Sequence, residues 1–163
     1  MKIILYIIII AFVVNCGNQS PEKLMEVANN HRVKTNLREA VISLKSIIDQ
    51  FPQHDFAAEA QFQIADIYLN DVKDFEFAIV EFKKVIKQYP NHDVAKKSLF
   101  MIAYIYNNYL NAYTESIKHY KSFKLKYPED ELIPSVDFEL ESLKAIESTI
   151  DSLNLIINKK STS

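Results

Sequence analysis

An all-α fold of repeated helix pairs is what this 163-residue sequence predicts, and three observations carry the prediction. The first is an internal period. Phe51-Pro52, Tyr89-Pro90 and Tyr127-Pro128 stand 38 residues apart, and the register between them holds without gaps. F-P-Q-H-D-F-A-A-E-A-Q-F-Q-I-A-D-I-Y lies over Y-P-N-H-D-V-A-K-K-S-L-F-M-I-A-Y-I-Y. A fixed period of this size marks stacked supersecondary units. The second is the spacing of apolar residues. Ala78, Ile79, Phe82, Val85 and Ile86 fall three and four apart, the stripe of an amphipathic helix. The third is composition: the chain has one glycine, Gly17, and no tryptophan. Sheet hairpins draw on glycine for positive φ, so helices joined by Asn- and Asp-containing turns are expected.

The helices follow in order as 22–32, 37–50, 55–70, 74–88, 93–109, 113–126 and 131–157. The first carries Ala28 and His31, and the second carries Ala40, Leu44 and Ile47. Phe62, Ile64, Ala65 and Tyr68 of the third recur as Phe100, Ile102, Ala103 and Tyr106 in the fifth. Ala78, Phe82 and Val85 of the fourth recur as Ser116, Tyr120 and Phe123 in the sixth. A proline between units stops the preceding helix where its missing N–H costs little. Asp55 and Asp93 stand where a carboxylate can cap free helix N–H groups. The third copy keeps Phe138 and Leu140 but puts Glu141 in the small column and Lys144 in the tyrosine column. Repeat arrays need a polar terminal cap, so 131–157 reads as one long capping helix and 159–163 as a disordered tail.

These columns resemble the tetratricopeptide repeat family, whose pattern is a small residue and an aromatic in helix A, then Ala, a large apolar, a small apolar and Pro in and after helix B. Ala65, Tyr68, Ala78, Phe82, Val85 and Pro90 fill one unit. Ala103, Tyr106, Ser116, Tyr120, Phe123 and Pro128 fill the next, and Ala28, Ala40, Leu44, Ile47 and Pro52 fill the first with His31 in the aromatic slot. The resemblance implies a right-handed solenoid of three helix pairs plus the C-terminal capping helix, over residues 21–158. The period exceeds the family's usual 34, which places extra length in the A–B turn and the inter-repeat loop.

The N-terminus has a separate logic. After Lys2, residues 3–14 are apolar apart from the Tyr6 hydroxyl, enough for about 18 Å of helix. A bilayer core needs roughly 20 residues, so the run fits a secretory signal peptide. Cys16, the only cysteine, follows it directly in V-V-N-C-G-N. That arrangement resembles a bacterial lipoprotein signal, with residues 1–15 removed, Cys16 lipidated, and 16–20 a short linker. The alternative is an uncleaved anchor with an incidental cysteine. Two or more acyl chains make a stable membrane anchor. With no second cysteine, an intramolecular disulfide and a Cys-based metal site are excluded. Gly17 stands where aspartate would give the enteric inner-membrane retention signal.

A lipid-anchored repeat protein with E-F-K-K-V-I-K-Q-Y-P-N-H and H-Y-K-S-F-K-L-K-Y-P-E-D resembles the BamD-type lipoproteins of outer-membrane β-barrel assembly. A-E-A-Q-F-Q-I-A-D-I-Y is also similar to the periplasmic division coordinator CpoB. The first resemblance implies an outer-membrane lipoprotein facing the periplasm, a non-catalytic scaffold for protein partners that assists barrel assembly. The second implies a periplasmic adaptor for cell-wall synthesis or division, and the repeat resemblance alone implies a general tetratricopeptide envelope adaptor.

The remaining residue patterns point away from chemistry. His54-Asp55 and His92-Asp93 are repeat equivalents two helices apart, too far to share a zinc ion whose ligands lie about 2 Å away. No metal, cofactor or small-molecule substrate is expected. There is no nucleophile elbow and no phosphate-binding glycine loop, and Glu59, Asp66, Glu76 and Glu81 read as solvated faces, so the chain is not expected to be an enzyme. A net charge of −2, with Lys83-Lys84 and Lys96-Lys97 isolated, gives no nucleic-acid stripe. The tetratricopeptide resemblance implies instead a partner groove on the first helices, lined by Glu59, Asp66, Leu69, Asn70, Lys97, Tyr104, Asn107 and Asn108. Phe62 and Phe100 belong either to that groove or to the core.

Overall fold

The computed structural model describes residues 19–161; residues 1–18, where the signal segment and the lipidated Cys16 are expected, and residues 162–163 lie outside the described residues. Among the described residues the structure is helical and has no strand. The helices are α1 (Pro21–Val33), α2 (Leu37–Gln50), α3 (Asp55–Asp66) with a π-helical turn (Ile67–Val72), α4 (Phe75–Gln88), α5 (Asp93–Asn108), α6 (Tyr113–Lys126) and α7 (Ile133–Ser161). Each matches an element expected from the periodicity. Two details differ: α3 ends in a π turn rather than running on as α-helix, and α7 continues past Lys159 to Ser161. Two compact units divide inside α3, one ending at Ala60 and the other starting at Gln61.

In the first unit α1 packs on α2. Ser20 caps α1, its hydroxyl accepting from the Lys23 N–H at 3.4 Å, and Pro21 opens the helix where its missing N–H costs nothing. Leu24, Met25, Ala28, Ala40, Leu44 and Ile47 are buried. Ala28 and Ala40 are the small-column pair.

In the second unit α4 packs on α5, α5 on α6, and α6 on α7. One core cluster joins Ala65, Leu69, Ala78, Ile79, Phe82, Ile102 and Ile105. A second joins Leu99, Ala103, Ile117, Tyr120, Phe123, Val136 and Leu143. Burying a large apolar side chain contributes about 1.5–3 kcal/mol, so these clusters outweigh any surface pairing. Ser116 takes the alanine column in α6, and its hydroxyl donates to the Ala103 carbonyl at 2.9 Å, fully buried. Glu81 corrects the sequence reading. It is 3% exposed, not solvated: its carboxylate accepts from Gln61 Nε2 and from Lys84 Nζ, both at 2.7 Å. A buried carboxylate persists because both oxygens are bonded.

The turns repeat as faithfully as the helices. Within each pair the bend is made by a non-glycine residue at positive φ: Thr35 at 60°, Lys73 at 62° and Asn111 at 52°. These are column equivalents, 38 residues apart. After each pair, Phe51, Tyr89 and Tyr127 leave the helix at φ −129°, −127° and −133°, held out of the helical region by the following proline. The next helix then starts on one further column. His54 Nδ1 accepts from the Phe56 N–H at 3.2 Å, His92 Nδ1 from the Val94 N–H at 3.3 Å, and Asp130 Oδ1 from the Leu132 N–H at 3.0 Å. Asp55 and Asp93 are therefore the first residues of their helices, and the histidines before them are the caps. The bond requires an unprotonated Nδ1, so the proton of each neutral ring is assigned to Nε2.

His92→Ala is expected to lower stability by about 1 kcal/mol, the usual cost of losing a cap. His92→Asp, which installs the Asp130 chemistry, is expected to restore it. Chemical denaturation of the three proteins checks both; equal midpoints for His92→Ala and the parent would show that the bond contributes nothing.

Candidate functional site

The site is best built from α5. Lys97, Phe100, Tyr104 and Asn108 recur at three or four residues and therefore share one side of that helix. Lys97 and Asn108 are exposed, while Phe100 and Tyr104 are half-buried. Phe100 stacks against Tyr104 with centroids 6.5 Å apart, and its edge meets Tyr120 at 5.6 Å. Phe62 similarly meets Phe82 at 5.3 Å. Both phenylalanines pack on the core clusters, which settles their role: they support the face rather than line it.

The other expected groove residues divide. Asp66 and Asn70 share one side of the α3 end, where Asn70 Nδ2 donates to Asp66 Oδ1 at 2.7 Å. Glu59 is half-buried in the first unit. Leu69 is no groove residue: it is 3% exposed and belongs to the core cluster with Ala78 and Phe82. Leu69 stands four residues after the fully buried Ala65 and shares its core side of the helix. Asn107 is committed elsewhere, donating to Glu139 Oε2 of α7 at 2.8 Å. Asn108 Nδ2 donates to the Tyr104 carbonyl at 3.0 Å, which leaves its amide oxygen as an acceptor toward solvent.

Two aromatic residues missed in the sequence complete the face. Phe75, opening α4, stacks on Tyr109 at 4.4 Å and 17°, and Tyr109 meets Tyr104 edge-on at 6.0 Å. Tyr109 is 41% exposed. It caps the C-terminal end of α5, where its ring meets Phe75 of α4, a contact that helical spacing does not reveal. The second unit thus carries a run of rings, Phe75–Tyr109–Tyr104–Phe100, flanked by Lys97 and Asn108. Rigid aromatic surface with adjacent amide and ammonium groups suits contact with another polypeptide. It offers no nucleophile, and among the described residues no three His, Cys, Asp or Glu side chains converge to hold a metal ion.

Below this face, Tyr120 is 0% exposed and its hydroxyl makes no hydrogen bond among the described residues. Burial first, then the Glu139 carboxylate and Tyr104, pushes the phenol well above the ordinary tyrosine value. It therefore stays protonated. His119 of α6 lies parallel to the Tyr106 ring at 5.5 Å. Burial, reinforced by Lys83 and Lys118 and opposed by Glu115, pulls it below the ordinary histidine value. A separate open cavity of about 600 Å³ lies between the Pro90 and Pro128 turns. The Lys96–Asp130 pair, 2.9 Å apart, lines it. That pair and the Leu132 N–H hold the Asp130 carboxyl below the usual range, with the N–H as the larger cause, and Asp130 raises Lys96. The cavity's buried carboxylate is already satisfied.

Comparison with known proteins agrees with this anatomy. Residues 59–92 and 97–130 each match the tetratricopeptide repeat family model. No curated protein matches the chain. Each matched segment holds a first helix without its first turn, one second helix and the proline turn. The residues between the matches, 93–96, are the first turn of α5, so the length beyond a 34-residue unit sits in a helix and not in the loops.

Tyr120→Phe is expected to raise stability by about 1 kcal/mol, since an unsatisfied buried hydroxyl costs more than it returns. A lower thermal midpoint would instead reveal a bonded hydroxyl. Because the folded pKa of His119 is depressed, the unfolded chain binds more protons as pH falls. The contribution is complete above the unfolded value near ~6.5 and is lost as pH drops through it toward the folded value. His119→Gln is expected to flatten that acid-side decline in midpoint-against-pH measurements; an unchanged slope would exclude His119 as its source.

Proposed function

From the premise that residues 59–130 carry two tetratricopeptide repeats, we propose that the chain is a non-catalytic protein-interaction scaffold whose partner face is the α5 stripe. The observation that carries this reading is the aromatic run of exposed Tyr109 and half-buried Tyr104, flanked by exposed Asn108 and Lys97. The rings give rigid apolar contact area at low entropic cost, and the amide oxygen of Asn108 can accept from an extended partner backbone. The proposal also places the scaffold in a bacterial envelope, lipid-anchored through Cys16. Its support there is V-V-N-C after an apolar run too short to span a membrane. The finer reading, assistance to outer-membrane β-barrel assembly in the manner of BamD-type lipoproteins, rests on sequence resemblance. A role as a CpoB-like adaptor for wall synthesis rests on resemblance of the 58–68 stretch.

Crosslinking and affinity capture from native envelopes tests these layers separately. Tyr104→Ala combined with Asn108→Ala is expected to reduce partner recovery roughly tenfold while leaving the fold intact. Undiminished recovery would overturn the α5 face. Cys16→Ser is expected to release the chain from membranes and weaken capture; a chain still in the membrane fraction would overturn the lipid anchor. A β-barrel assembly protein among the captured partners supports the BamD-like role, and cell-wall synthases in its place would transfer the chain to the adaptor reading.

A further inference from the structure

The repeat register exposes a second surface, at the opposite end of the unit from the first helix of its array. In the two complete repeats, the first-helix phenylalanine meets an aromatic ring on the second helix twenty positions later. Phe62 meets Phe82 at 5.3 Å and 63°, and Phe100 meets Tyr120 at 5.6 Å and 65°. The third member of this column is Phe138, on α7. Twenty positions on stands Asn158, still within the same helix. Among the described residues no second helix covers Phe138, and it is 69% exposed. Isolated exposed apolar residues such as Leu125 need no explanation. Phe138 differs because both of its column equivalents are interface residues.

The rest of α7 defines what would fit there. Val136 and Leu143 are fully buried in the cluster with Tyr120 and Phe123, so one side of α7 is already occupied by α6. Pro134, Glu141 and Ala145 are exposed and lie four, three and seven residues from Phe138, on its own side of the helix. This side presents a phenylalanine, a small residue and a carboxylate. Charge selects the occupant further. Asp137 is paired with Lys124 and Glu139 accepts from Asn107, so Glu141 is the carboxylate that stands beside Phe138 on this side of the helix. The helix that α7 accepts on its other side, α6, is basic, with four lysines against Glu115. It is joined to α7 by Lys124–Asp137 at 2.6 Å.

We propose that the Phe138 face of α7 docks one helix of a partner protein, basic and amphipathic, with an aromatic residue at the centre of its apolar stripe. The docked helix takes the place of the missing second helix, its ring meeting the edge of Phe138 as Phe82 meets Phe62. Lysines flanking that ring face Glu141. This surface is distinct from the α5 stripe, so either can fail without the other.

The test uses the full chain and a side-chain-stapled helical peptide with the α6 sequence, residues 113–126, labelled for fluorescence anisotropy. The staple removes the helix-forming cost that leaves short peptides disordered. Saturable binding is expected, weakened roughly tenfold or more by Phe138→Ser. Glu141→Lys is expected to weaken it and reduce its salt dependence. Leu125→Ser, and Tyr104→Ala with Asn108→Ala, are expected to leave it unchanged. Phe138 is exposed, so its replacement should leave the melting curve in place. Absence of binding to the parent chain, or equal binding by Phe138→Ser, overturns the proposal. So does a parent chain that is dimeric by sizing and becomes monomeric on Phe138→Ser, since the occupant would then be a second copy.

Discussion

The close crossing inside each helix pair is the constraint on which the rest of the structure depends. Ala65 and Ala78 meet in one core cluster, and Ala103 meets Ser116 through a hydrogen bond to its carbonyl. Ala28 and Ala40 are at most 1% exposed in the first pair. Without side-chain bulk at these points, two helices approach closely enough for the neighbouring large residues to interlock. Phe82 can then reach Phe62, and Tyr120 can reach Phe100. A larger residue at the crossing would force the pair apart and forfeit those contacts together, because interiors are packed to crystal-like density. Ser116 shows how a polar atom is tolerated there: it is small, and the Ala103 carbonyl accepts its proton.

Once the crossing is fixed, the turns must return the chain at the right height. The bend inside each pair uses a left-handed residue, and in all three cases evolution has placed something other than glycine there. Asn111 tolerates this conformation readily, whereas β-branched Thr35 does not. The packing on either side holds the geometry despite that cost. The turn after each pair shares one design of aromatic, proline and capping residue. Histidine and aspartate exchange in that column because each offers one acceptor at a similar distance from the backbone.

The proposed partner face follows from the same register. Lys97, Phe100, Tyr104 and Asn108 of α5 share one stripe, and the rings among them and beside them brace one another. Tyr104 is held between Phe100 and Tyr109, and Tyr109 is held in turn by Phe75 from α4. A face braced in this way can present apolar area without the entropic loss of ordering it on contact. On the neighbouring first helix Leu69 limits the stripe, since it lies in the core with Ala78 and Phe82.

The fold was legible because its signal is repeated. Columns such as Phe62/Phe100 and Leu44/Phe82/Tyr120 report burial several times over, and the helix bounds follow from proline and periodicity. The face was legible only in part. Lys97, Tyr104 and Asn108 obey α-helical spacing and emerge together, and Leu69, four residues after Ala65, follows that spacing inward, but the partners of Asn107, Tyr109 and Glu81 do not declare themselves. Local sequence determined which segments are helices, where they stop and which residues recur in equivalent places. Tertiary structure decided what each polar or aromatic group touches. Leu69 packs with Ala78 and Phe82, α7 claims the Asn107 amide, and Gln61 and Lys84 make burial of Glu81 tolerable. Periodicity fixes the direction of a side chain about its own helix. Its partner depends on what a second helix brings to that spot, and that is a property of the packed chain.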